Sequence, residues 1–123
     1  AAGNYFMPLA NAPLDTFQWT RGKPSHFNSS DLVRRGFCAA CGTPLAYDAP
    51  DGLALCVIAF DNPDAVAPTI AYGIEGKRPW CDEVPSLPRR VTLDDLADAP
   101  FLDTLVSFQH PDHDTDNWPE KPA

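Results

Sequence analysis

The apolar positions of this chain fall in short runs, each closed by proline, glycine or small polar residues. Asn4 to Leu9 (NYFMPL) is the first, ended by a loop around Asn11 and Pro13. Phe17-Gln18-Trp19 alternates with period two, the pattern of a half-buried strand. Arg21-Gly22-Lys23-Pro24 reads as a turn, because glycine takes positive φ and proline presets its own. Ser25-His26-Phe27 resumes an extended path, Asn28 to Asp31 breaks it, and Leu32 to Phe37 leads as a strand into the first cysteine. Pro44 to Tyr47 and Leu53 to Phe60 predict a hairpin around Asp48-Ala49-Pro50-Asp51-Gly52. The second arm, LALCVIAF, is apolar on both faces and is expected centrally in the sheet.

Beyond it, Asn62 and Pro63 predict a one-turn helix through about Val66. Thr69 to Tyr72 reads as another short strand, and Gly73 to Pro88, with its glycines and prolines, as an irregular loop. Thr92, Asp94 and Asp95 suit a helix start, where the dipole favours negative charge. Pro100 limits residues 92–109 to two short helices at most, the second carrying Phe101, Leu102, Leu105, Val106 and Phe108 near helical spacing. The expected fold is mainly β: small twisted antiparallel sheets, two of them packed face to face, with a short C-terminal helical segment. Residues 1–109 form the expected domain and 110–123 an acidic polar tail.

Composition narrows the picture. A chain of 123 residues is one ordinary domain, and 44% apolar residues can supply a core. No apolar run approaches the ~20 residues of a membrane helix, so no membrane partner is expected. The net charge of −8 is uneven: residues 94–123 carry eight acids and one base, whereas 1–93 carry nine acids and eight bases. A near-neutral body with an acidic end is a poor partner for nucleic acid or anionic lipid. The chain opens Ala1-Ala2-Gly3-Asn4, and its four cysteines are too sparse for a secreted disulfide scaffold. A reducing, cytoplasmic setting is expected.

The sharpest chemical signal is Phe37-Cys38-Ala39-Ala40-Cys41-Gly42-Thr43. Two thiolates three positions apart can share one tetrahedral metal while the backbone between them turns tightly. Gly42 supplies the positive φ that lets the chain leave the turn. Pro44 then forces an extended path. A redox dithiol of the thioredoxin kind opens a helix, whose N-terminus lowers the thiol pKa. Gly42 and Pro44 oppose that helix, so zinc ligation by Cys38 and Cys41 ranks first, ahead of plain structural cysteines and a redox pair. A closed zinc site needs four ligands. Cys56 reads as a small buried residue of its strand, Cys81 comes after Trp80 in the irregular loop, and His26 stands alone in its strand. Trp19 reads as core and Trp80 as the tryptophan best placed to bind something. Arg34 and Arg35 read as a solvated residue and a surface ion pair, or as contacts to ligand carboxylates. His110 to Asp116 is dense in donors but reads as solvated tail.

FCAACGTPL, preceded by FQWTRGKPSHFNSSDLVRRG and succeeded by AFDNPDAVAPTIAYGIEGKRPWCDEVPSLP, resembles the family of glutathione-dependent formaldehyde-activating enzymes and centromere protein V. The tail QHPDHDT is similar to bacterial members, and the blocks run in order over essentially the whole chain. The resemblance implies an Mss4-like, tent-shaped arrangement of small sheets around zinc. It implies a carbon–sulfur lyase activity, the making or splitting of S-hydroxymethylglutathione from glutathione and formaldehyde. It also implies that Cys38 and Cys41 match a Cys-x-x-Cys which, with an N-terminal Cys-x-Cys, closes a structural zinc site. A separate Cys-x-Cys-x-x-Cys holds the zinc thought to be catalytic in that family. Neither N-terminal motif occurs in these 123 residues, and family sequences run on from them into a segment like Ala1 to Phe6. The expectations are therefore half of a structural zinc site, weak or absent zinc in an isolated monomer, and no lyase turnover by this chain alone. A non-catalytic β module for a small thiol such as glutathione, or for a protein partner, is the alternative. A second copy could supply the other two ligands.

Overall fold

The computed structural model describes residues 4–111 and 113–116. Five strands form one antiparallel sheet: β1 (Leu9–Ala12), β2 (Ser25–Asn28), β3 (Arg34–Phe37), β4 (Pro44–Ala49) and β5 (Gly52–Cys56). Their spatial order is β1-β5-β4-β3-β2. Strands β2 to β5 run in sequence as a meander, and β1 closes the far side of β5, pairing Leu9 with Cys56 and Ala12 with Leu53. From Val57 onward the regular structure of the described residues consists of single 3-10 turns. No helix among them is long and apolar enough to cross a membrane.

The mainly-β expectation holds, but the layering differs. There is one sheet among the described residues, not two packed face to face. The strand expected at Phe17–Trp19 is irregular backbone; its two rings meet edge to face at 5.0 Å. Trp19 is 41% exposed and is not core. Leu9–Ala12, expected to run into a loop, is a strand because the outer edge of β5 offers it a ladder of unpaired backbone groups. Thr69–Tyr72 finds no such edge and stays irregular, with Tyr72 almost wholly exposed.

The β4–β5 hairpin is tighter than expected. Ala49 pairs with Gly52, so only Pro50 and Asp51 form the corner. Within the sheet β4 is central, while β5, second from the edge, is paired on both sides. The apolar run LALCVIAF leaves the sheet after Cys56, turning through Val57–Ala59 and exposing Ile58. The buried apolar residues are Ala46, Ala54, Cys56 and Val57, a small core. Gly36 of β3 is also buried; a Cβ there would lie 3.2 Å from the Ala46 Cβ and 3.4 Å from the Pro24 Cβ, so glycine lets Pro24 lie close over the strand.

The C-terminal helical segment is reduced to two turns, Thr92–Asp95 and Pro100–Asp103. Val91, not Thr92, stands at the start of the first; its N–H donates to the Asp94 carboxylate at 3.1 Å. Phe101, Leu105, Val106 and Phe108 are exposed. A helical stripe without a surface to pack on does not hold a helix of this length in water. The turn expected after Asn62 is present at Pro63–Val66, without a side-chain cap from Asn62.

Candidate metal centre

The Cys-x-x-Cys motif is the hairpin loop between β3 and β4. The Cys38 N–H donates to the Thr43 carbonyl at 2.9 Å, and the Gly42 N–H to the Cys38 carbonyl at 2.8 Å. These two bonds close the loop on itself. Gly42 adopts φ 79°, the left-handed conformation expected of it. Pro44 begins β4 opposite a register shift between Gly36 and Phe37. A proline is tolerated at such a bulge because its missing N–H breaks no ladder bond, and bulges re-aim neighbouring side chains. The loop feeds a strand rather than a helix, which removes the dipole that activates thioredoxin-like thiols.

Both motif cysteines are free thiols, Cys41 exposed and Cys38 half-buried. The Cys41 sulfur lies 3.0 Å from the Thr43 hydroxyl. Hydrogen bonds to Thr43, first its hydroxyl and then its backbone N–H, hold the Cys41 thiol below its ordinary pKa. Slight burial pulls the other way, and a hydrogen bond with the Cys38 side chain adds to the lowering. The Thr43 hydroxyl also donates to the Gln109 side-chain carbonyl at 3.3 Å. With Cys41 protonated, its S–H can donate to Thr43 while Thr43 donates to Gln109. Once Cys41 loses its proton, the same hydroxyl can turn to the sulfur. Sequence reasoning singles out neither Thr43 nor Gln109. Thr43 is legible as the residue after the motif, whereas Gln109 is 66 residues away and carries no local signal.

The other candidates lie elsewhere. Cys56 is 2% exposed within β5, and burial pushes its thiol up, with the Arg35 charge opposing. Cys81 is half-buried in the turn Pro79–Asp82. His26 is exposed on β2. Among the described residues no group of three His, Cys, Asp or Glu side chains is placed to hold a metal ion. Arg34 is a surface ion pair, its Nε 2.5 Å from Asp48. Arg35 is half-buried instead of solvated, its guanidinium 5.2 Å from the centre of the Tyr47 ring. Trp80 is half-exposed and meets the Tyr5 ring at 6.0 Å. Trp118 and Asp112 lie outside the described residues. Of the tail, Asp114 and Thr115 take hydrogen bonds from Arg21 at 2.6 and 3.0 Å. This contact carries the chain beyond Gln109 back across to the turn before β2.

Cys38 and Cys41 offer two soft sulfur donors three positions apart on a loop closed by its own backbone, a donor type that suits zinc. No family model matches this chain, and neither does any curated protein or solved structure at a meaningful level of similarity.

Proposed function

We propose that Cys38 and Cys41 are two ligands of a structural zinc, and that the chain is a domain of the formaldehyde-activating and centromere protein V kind with an Mss4-like fold. The single observation that supports this most is the self-closed β3–β4 loop, with a free thiol at each end of its Cys-x-x-Cys and its glycine in the left-handed region. The order of the sequence blocks on either side of FCAACGTPL supports the family. In this reading the reaction class is carbon–sulfur lysis of a thiol–aldehyde adduct in the cytoplasm, with glutathione as the thiol. Zinc, when bound, supplies cross-linking of the loop at Cys38 and Cys41. Thr43 steadies the Cys41 thiolate, and Gln109 holds Thr43 until the proton leaves. The Cys-x-Cys-x-x-Cys cluster of the family is not among these residues, so the chain by itself does not turn over.

A non-catalytic binding module is the second reading. It is favoured by an open cleft of about 340 Å³ lined by Phe17, Trp19, His26, Arg34, Ala46 and Leu53. Zinc titration of the purified chain, read by metal analysis after gel filtration, tests the metal. Formaldehyde consumption in the presence of glutathione tests the activity. Weak zinc binding that grows with the zinc added and is lost in Cys41→Ser is expected, with no glutathione-dependent turnover. A chain that retains no zinc at any concentration refutes the metal assignment, and turnover at an ordinary enzyme rate refutes the inactivity.

A further inference from the structure

Arg34 and Arg35 are neighbours on β3 with opposite surroundings. Successive side chains of a strand point to opposite faces of the sheet. Arg34 shares its face with Asp48, its partner both in register and in the ion pair. Arg35 is on the other face and makes no ion pair with a carboxylate of the described residues. It is half-buried, with its guanidinium against the Tyr47 ring. Its Nη1 donates to the Met7 sulfur at 3.6 Å, and a thioether is a weak acceptor. Its Nε is shielded from water and meets no acceptor, and no other shielded side-chain nitrogen or oxygen among the described residues is left in this way.

A guanidinium stays charged at any ordinary pH. Drawn partly out of water without an anion, it bears a desolvation cost that nothing offsets. Such an orphaned donor calls for an explanation, and an acceptor from outside the chain supplies one. Cys56, whose thiol feels the Arg35 charge, is not that acceptor: burial outweighs the charge and keeps the thiol protonated. The neighbours narrow the chemistry. Phe27 pairs with Arg35 from β2 and Tyr47 pairs with it from β4, so aromatic residues stand on both sides of it in one row. Phe27 is 64% exposed. A single guanidinium matches the two oxygens of a carboxylate, and a chain of net charge −8 opposes a singly charged anion less than a phosphate dianion.

We propose that Arg35 anchors the carboxylate of a small organic acid through its Nε and Nη2, with the apolar body of the acid along Phe27 and Tyr47. Met7 stands on irregular backbone before β1, and its flexible thioether is the group that moves aside. The site uses neither Cys38 nor Cys41 and stands apart from the zinc reading. It is also on the opposite face of the sheet from the cleft that Arg34, Ala46 and Leu53 line.

The test is NMR of the isotope-labelled full chain, following the Arg35 Nε–H signal during titration with sodium benzoate at constant ionic strength. Benzoate is expected to move that signal downfield and to saturate, whereas benzamide, its neutral counterpart, and sodium chloride leave it in place. Arg35→Lys keeps the charge and loses the fork, so benzoate binding read at the Phe27 and Tyr47 signals should weaken by about tenfold. Arg89→Lys, the same change at an exposed position beyond the sheet, should leave it as in the parent. Glutathione then replaces benzoate as the source of the carboxylate. Glutathione moving the Nε–H signal where benzoate does not would keep the carboxylate anchor and overturn the apolar body. Inorganic phosphate binding more tightly than either acid would overturn the carboxylate. An Nε–H signal that no acid moves, or benzoate binding untouched by Arg35→Lys, would overturn the site whether or not the chain takes up zinc.

Discussion

Replacing Gly42 by alanine separates the geometry of the sulfur loop from every other contribution. Gly42 sits at φ 79°, and a Cβ built there meets no atom within 4 Å. The substitution therefore adds no clash; its cost is the backbone conformation alone. Alanine in the left-handed region costs about 1–2 kcal/mol relative to glycine. Against that, alanine restricts the unfolded chain and returns about 0.4–1 kcal/mol. The net is a destabilisation of about 1 kcal/mol, visible as a shift of the urea midpoint with unchanged slope.

Zinc affinity reports on something further. Whatever part of the strain the loop escapes by relaxing in the metal-free chain is absent from the urea midpoint and must be restored on metal binding. The ~1 kcal/mol therefore divides between stability and affinity, and the affinity loss is at most about five-fold, since 1.4 kcal/mol corresponds to tenfold. Gly22 is the control: it has φ 62°, nothing within 4 Å of a built Cβ, and a place in the turn before β2. Gly22→Ala should lose the same stability and none of the metal affinity. A Gly42→Ala chain equal to the parent in both stability and zinc affinity, or a Gly22→Ala chain with equally weakened zinc binding, would refute the claim that the left-handed residue sets the sulfur pair.

The thiols give two further tests. Thr43→Val removes the hydroxyl that does most to lower the Cys41 pKa but keeps the backbone N–H, so the pKa should move part of the way back up. Alkylation of Cys41 near neutral pH should slow accordingly, and an unchanged alkylation rate against pH would sink this account. Because the folded-state pKa of Cys41 is depressed, its contribution to stability is present above the ordinary thiol value and is lost as pH falls through the folded value. Cys56 has the opposite sign: burial raises its pKa, so its contribution is present below the ordinary thiol value near 9 and is lost as pH rises through the folded value. Cys56→Ala should therefore flatten the alkaline loss of stability seen in urea melts, although it lowers stability at neutral pH by leaving a small cavity. An alkaline limb identical to that of the parent would contradict this.

Local rules carry much of the sheet. Ser25 to Phe27, Arg34 to Phe37 and the two arms around Pro50-Asp51 are legible because extended runs bounded by proline, glycine and aspartate have few alternatives. The sulfur loop is legible for the same reason: Cys-x-x-Cys with glycine and proline just beyond it constrains a short stretch whatever lies around it. The strand expected at Phe17–Trp19 and the helices expected after Thr92 fail because their patterns describe a surface to be buried without naming what buries it. At Phe17 and Trp19 the run borders an open cleft beside the sheet instead of pairing within it, and Leu105 and Val106 stay exposed.

Sequence alone determined the two-sulfur motif, the turn that presents it, the mainly-β character and the concentration of acid at the C-terminal end. Each of these depends on the identities of near neighbours, or on composition. Only the tertiary structure decided that β1 pairs with β5, that Thr43 joins Cys41 to Gln109, that Arg35 lies against Tyr47, and that so much apolar surface stays uncovered. Those outcomes depend on which distant segments meet. A contact between residues 66 apart has no local signature, because its free energy exists only once the intervening chain has folded and the entropy of closing that loop has been offset.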